Sequence, residues 1–269
     1  MEHCALLNMA HKGEVKPLNK ELKKEFQIKW ARYFKGADLP FVFFYSDEEK
    51  YAEHAVKKKG WTCMIAQLNP VRKGKTVAFT QDNIGCMGGV RASGYPTEYS
   101  ENFRYFLSCG VEGKSEGLRL KKTPELVDEY MKTSPDSKAE GKYIIFKRWD
   151  KLEDDEDPRV VIFYATPDIL SGLFSLAGFD SADRFCVIAP FSSGCGSIIN
   201  YPILEGKREE PRSVMGMFDT TARPYVDENI LSFALPMGLF EKMVYEMDES
   251  FLITKDWEKI GKRVSKAGQ

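Results

Sequence analysis

Two apolar pentads, Phe41-Val42-Phe43-Phe44-Tyr45 and Val160-Val161-Ile162-Phe163-Tyr164, interrupt a chain patterned mostly at helical spacing. Each is apolar at every position, so each reads as a strand buried on both faces. Leu18, Leu22, Phe26, Trp30 and Tyr33 recur at three- and four-residue intervals and predict an amphipathic helix over 18–35, ended by Gly36. Ser46 or Asp47 caps a second helix that turns Tyr51, Ala55 and Val56 inward and stops at Gly60. Residues 61–68 form a short helix or extended segment carrying Cys63, and Thr97 caps a helix bearing Tyr99, Phe103 and Leu107. Thr123-Pro124 and Thr166-Pro167 each place a capping hydroxyl before a proline at the first helical position. Further strands are expected at 75–80, 143–146, 186–189, 213–218 and 231–234. Two helices, from Pro236 and from Thr254, close the chain.

Strands and helices alternate without clean βαβ units, which predicts an α+β fold: one central mixed sheet with flanking helices. The two pentads also have matched sequels. Each leads through a helical segment to a second β-like run and then to Gly-Cys, at Gly85-Cys86 and Gly194-Cys195. Cys86 lies nine positions after Val77, and Cys195 nine positions after Cys186. Two related half-domains, an internal pseudo-duplication, would explain the match; few identities outside these motifs speak for chance. On the first reading the chain divides into an N-terminal segment and helix (1–37), a first half (38–150) and a second half with the C-terminal helices (151–269). The acidic stretch from Asp150 to Pro158 is the boundary.

Composition narrows the class. The chain has 269 residues, 43% hydrophobic and 29% charged, with a net charge of −1. This is an ordinary globular balance with no basic stripe, so no nucleic-acid partner is expected. No apolar run reaches the roughly 18 residues of a membrane span, and no signal peptide is evident, so the expectation is no membrane and a cytoplasmic location. There the six cysteines would be thiols or ligands rather than disulfides. A homo-oligomer is compatible with this composition.

Phosphate-loop, dinucleotide, zincin and serine-hydrolase motifs are all missing, and only His3, His11 and His54 supply imidazole. Chemistry therefore falls to cysteine, carboxylate, arginine or a bound cofactor. Cys86 and Cys195 follow glycine at strand-to-helix turns, where converging amides favour a thiolate. Gly88-Gly89 and Gly196-Ser197 leave the backbone bare for a ligand's approach. Cys63 is the third candidate, whereas Cys109 and Cys186 read as packing. Asp219 and Arg223, four residues apart, either pair with each other or hold a carboxylate or phosphate.

The order of Cys63-Met64-Ile65-Ala66, Gly85-Cys86-Met87-Gly88-Gly89, Ser193-Gly194-Cys195 and Asp219-Thr220-Thr221-Ala222-Arg223 resembles domain of unknown function 169, an uncharacterised archaeal and bacterial family. Glu249-Ser250-Phe251-Leu252 and Trp257 extend the resemblance, which spans about 40–264. It implies a cytoplasmic prokaryotic protein and no established reaction.

The leading reading is a small-molecule, cofactor or metal site between the halves, bound by Cys63, Cys86, Gly88, Gly89, Cys195, Asp219 and Arg223. In its sharpest form Cys63, Cys86 and Cys195 hold an iron–sulfur cluster or another thiolate-bound metal. A second reading is a thiol enzyme acting on a small anionic substrate, with Cys86 as nucleophile and Arg223 as anion clamp. A third is a binding module for a small carboxylate or phosphate compound, with the cysteines structural.

Overall fold

The structure, a computed structural model, describes residues 20–57 and 60–267. Leu18, His3, His11 and Cys4 lie outside the described residues. Seven strands form one sheet: β1 (Phe41–Ser46), β2 (Val77–Phe79), β3 (Tyr143–Arg148), β4 (Val160–Ala165), β5 (Val187–Ile188), β6 (Ser213–Gly216) and β7 (Leu231–Pro236). Their order is β2-β3-β1-β4-β7-β6-β5, antiparallel throughout except for the parallel β5–β6 pair. The fold is α+β with one mixed sheet, as the alternation of elements predicts.

The first five helices are α1 (Lys20–Tyr33), α2 (Met64–Gln67), α3 (Asn69–Arg72), α4 (Met87–Ala92) and α5 (Phe103–Leu107). There follow α6 (Pro124–Thr133), α7 (Pro167–Ala177), α8 (Tyr201–Glu205), α9 (Met237–Glu246) and α10 (Lys255–Ala267). The two pentads are the central strands β1 and β4, paired through Phe41↔Ile162, Val42↔Val161 and Phe43↔Val160. Their uniform apolarity follows, because alternate residues enter two different cores. Val42, Phe44, Val161 and Phe163 face α1, α7, α9 and α10. Phe41, Phe43, Ile162 and Tyr164 face the layer that holds α2, α4 and the Gly194-Cys195 turn.

The first face is the heavier core. Phe26 lies edge-on to Phe240 at 5.0 Å, and Trp30 stacks on Phe34 at 4.2 Å. A Cβ on Gly172 would come within 2.4 Å of the Trp257 ring, so glycine lets α7 and α10 close together. An ion pair is buried beside this core. Lys147 Nζ meets Glu156 Oε1 at 2.6 Å, and the Tyr51 hydroxyl donates to the same oxygen at 2.8 Å. That second donor helps satisfy an ion pair whose desolvation is costly.

Several local expectations shift. The segment after Ser46 is a 3-10 helix, Glu49–His54. The helix expected from Thr97 begins only at Phe103, because the chain through Gly94, Tyr95 and Pro96 is irregular. Thr123 caps α6 through Leu126 N at 3.3 Å, whereas Thr166 makes no such bond to α7.

The duplication is not confirmed. β1–β3 and β4–β7 are equivalent antiparallel pairs, and each half has a strand beyond them. The strands that precede the two Gly-Cys turns differ, however. β2 pairs directly with β3, while β5 is separated from β7 by β6 and pairs parallel to it.

A thiol-lined candidate site on the second face

Each candidate cysteine begins a short helical element. Cys63 precedes α2, Cys86 precedes α4, and Gly194-Cys195 opens a helix that passes through a π-turn, Gly196–Asn200, into α8. Both Gly-Cys turns therefore lie at helix starts after strands, as the motif spacing implies. The π-turn is a rarer feature, of the kind enriched at functional sites.

Glycines pull these segments together. A Cβ on Gly85 would fall 2.6 Å from Thr62 N, so the strand-to-α4 turn rests directly on the backbone leading into Cys63. Gly89 packs against Met64 and the Cys86 sulfur, with its Cβ position 3.2 and 3.0 Å away. Gly194 meets Ile65, Met217 and Ala222 in the same way. Met217 accepts a φ of +65°, unusual for a side-chain-bearing residue, to lay its sulfur there. Gly88, by contrast, faces open space, and Gly196 packs among the Ser192 and Ser193 side chains.

The electrostatics agree with this convergence. Burial pushes the Cys195 thiol well above its ordinary value, and the Cys86 and Cys63 thiols and the Asp219 carboxylate push it further. Burial also raises Cys63, with Cys86 and Asp219 adding to the effect. Cys195 and Cys63 are thus protonated at neutral pH, contrary to the expectation of a thiolate at the Gly194-Cys195 turn. The amides there are already taken: Gly194 N donates to Asp219 Oδ2 at 3.0 Å and Gly196 N to Ser193 Oγ at 3.1 Å. Burial then outweighs the one backbone hydrogen bond, from Cys195 itself, that favours the thiolate. Tyr164 stands beside Cys195 and Cys63, and its buried hydroxyl has no hydrogen-bond partner.

Asp219 and Arg223 part company. Asp219 accepts from Gly194 N, Thr221 N and Thr221 Oγ1, so it secures the Cys195 turn and its charge is largely answered. Arg223 donates to the carbonyls of Ile230 and Glu228 at 2.5 and 2.7 Å and makes no ion pair with Asp219. It ties down the loop into β7 and is not aimed at the thiols.

No motif marks the site's rim. Tyr99 lies beside Cys86, with the Arg91 guanidinium 5.6 Å over its ring. Tyr130 is near Tyr99 and Asp219 and meets Phe191 edge-on at 5.8 Å. Lys121 Nζ stands 4.0 Å over Phe191 and 4.6 Å over Tyr130. Trp61, Met87 and Phe218, each a near neighbour in sequence of a candidate residue, are exposed large apolar side chains. Their grouping depends on the fold bringing together segments far apart in sequence.

The remaining candidates lie apart or fall away. Cys109 is exposed and Cys186, just before β5, is half-buried against Gly178. His54 is near the surface beside Glu53. Among the described residues no three His, Cys, Asp or Glu side chains are grouped closely enough to hold a metal ion. No described helix is long and apolar enough to cross a membrane.

No curated protein and no solved structure matches this chain. A family does, over a stretch that includes Cys63, Cys86, Cys195, Asp219 and Arg223. The chain belongs to the family of domain of unknown function 169, described as an uncharacterised ArCR, which matches residues 40–246.

Proposed function

We propose that the protein binds a small, flat organic anion over the Cys63, Cys86 and Cys195 thiols, at the seam between the two halves of the chain. One observation carries the reading: Cys63, Cys86 and Cys195, from three separate segments, act electrostatically on one another, and Cys63 and Cys195 also act on the buried, unpartnered Tyr164 hydroxyl. A buried hydroxyl without a partner costs stability, and a ligand acceptor would relieve that cost. Arg91 and Lys121, both over aromatic rings, supply the positive charge expected earlier of Arg223. Aromatic faces suit a planar ligand, since stacked and edge-on rings add to simple area burial.

The geometry favours an organic ligand over a metal. A thiolate-held metal needs several donors about 2.3 Å from one point, and the described residues offer no such group. A thiol-dependent reaction at Cys86 would use the same site, with the anion as its substrate, and is the further step that binding would permit.

Isothermal titration with benzoate and with acetate tests the proposal. Benzoate should bind more tightly than acetate, and Arg91→Ala and Lys121→Ala should each weaken it by about fivefold, the upper range of a partly exposed ion pair. Equal affinity for the two carboxylates, or indifference to both substitutions, would overturn the reading.

A further inference from the structure

The chain between α4 and β3 forms a lobe of its own. Among the described residues, 97–138 supply no side chain to either core, and α5 and α6 pack chiefly on each other. The lobe's cohesion is internal. Arg104 pairs with Glu125 at 2.9 Å and with Asp128 at 3.0 Å, and Tyr99 stacks on Phe103 at 4.0 Å. The amides of Leu118, Arg119 and Leu120 donate to the carbonyls of Phe106, Ser108 and Leu107. A segment held mainly by its own contacts can move as one body without unfolding.

Both ends of the lobe pass through one narrow neck. Ala139 N donates to Gly94 O at 2.9 Å, and Gly94 takes a φ of +76° with its Cβ position 2.5 Å from Ala139 N. Only glycine lets the outgoing and returning chains meet there. Beyond the neck, the described ties reach the elements that carry Cys86 and Cys195. Arg91, on α4 behind Cys86, stands over Tyr99 and pairs with Asp136 at 3.6 Å. Phe191, shortly before the Gly194-Cys195 turn, accepts from the Tyr130 hydroxyl through its carbonyl at 3.1 Å, and its ring lies under Lys121. Asn200, the last residue of the π-turn after Cys195, donates from Nδ2 to Pro135 O at 2.9 Å.

We propose that the 97–138 lobe is a lid over the thiol site, swinging on the Gly94–Ala139 neck and latched at Phe191 and Asn200. The inference rests on the reading of the thiol face as a binding site and adds how access to it is controlled. Closed, the lobe holds Tyr99 beside Cys86 and Tyr130 near Asp219. Opening withdraws both tyrosines and Lys121 together and lets a ligand in. Arg91 belongs to the body and Lys121 to the lobe, so a bound anion meets both cations only when the lid is closed. Binding therefore favours closure, through contacts that the open state lacks.

Iodoacetamide labelling of Cys86 in the free protein, followed by mass spectrometry, tests the lid, with hydrogen–deuterium exchange of the lobe alongside. Phe191→Ala removes the ring beneath Lys121 and Tyr130 and should raise the Cys86 labelling rate about fivefold, the effect of losing one such contact. Phe191 is exposed, so this replacement leaves both cores intact. Tyr130→Phe loses only the latch hydroxyl and should raise the rate about twofold, as for one exposed hydrogen bond. Cys109, exposed on the lobe itself, should label at the wild-type rate in both variants. The amides of Leu118, Arg119 and Leu120 should keep their wild-type exchange, because the lobe swings as a folded body. Wild-type Cys86 labelling in both variants would overturn the lid. So would exchange at those amides that rises in step with Cys86 labelling, since the lobe would then be unfolding locally. No benzoate enters the measurement, so its outcome is independent of which ligand the site takes.

Discussion

Cys195 shows how much a single thiol's surroundings can reverse a motif's promise. Gly-Cys at a helix start suggests a thiolate, yet Asp219 and Ser193 consume the amides and burial dominates. A thiol whose pKa is higher folded than unfolded contributes fully to stability below its unfolded value, about 8.5, and loses that contribution as pH rises beyond it. Denaturant titrations should therefore show stability falling above about pH 8.5 in the wild type and falling less in Cys195→Ala. Identical pH slopes in the two proteins would mean that the thiol does not experience this burial. Arg223 was misread for a simpler reason. An arginine four residues from an aspartate resembles a pair in sequence, but nothing local reveals the three carbonyls of the 227–230 loop that take its donors.

At the scale of elements, the two Thr-Pro signatures look alike in sequence and differ in the fold. Thr123 Oγ1 accepts from Leu126 N, while Thr166 leaves α7 without a side-chain cap. Thr123→Ala should cost about 1 kcal/mol and Thr166→Ala distinctly less, as measured by urea unfolding. Equal losses would contradict the cap assignment. β1 and β4 were legible because a strand between two cores must be apolar at every position. β5 was only half legible, since its two paired residues lie at a sheet edge where pairing rather than pattern decides its extent. The π-turn had no signature at all, because it depends on tertiary packing. Ser197 Oγ donates to Gly194 O, and the same side chain lies 2.1 Å from where a Gly216 Cβ would stand. Gly216→Ala should therefore destabilise the protein by about 1–3 kcal/mol, the range for overpacking a filled core. A neutral effect would mean that the turn can move freely off β6.

Across the whole molecule, two cores on opposite faces of one sheet divide the labour. The α1, α7, α9 and α10 face carries the large aromatic cluster and the buried Lys147–Glu156 pair. Lys147→Met should cost about 3 kcal/mol by stranding Glu156, and the double replacement of both residues with Met should recover most of it. The opposite face carries the cysteines. Cys86 and Cys195 could be picked out in advance because glycine precedes each and small residues follow. The rim of Arg91, Tyr99, Lys121, Tyr130 and Phe191 could not, because these residues resemble ordinary surface positions until the chain brings them together. The family match ends at residue 246, so the Glu249–Leu252 run and Trp257 lie beyond it, although Trp257 packs into the first core.

The central claim is that three thiols and an aromatic, cationic rim form one binding site. Mass-spectrometric alkylation footprinting with iodoacetamide, with and without saturating benzoate, tests it most directly. The account predicts that benzoate slows labelling of the half-buried Cys63 and Cys86 together, leaves exposed Cys109 unchanged, and that Cys195 stays unlabelled until the protein unfolds. Bound benzoate that protects neither Cys63 nor Cys86, or Cys195 labelled as fast as Cys109 in the native state, would contradict it.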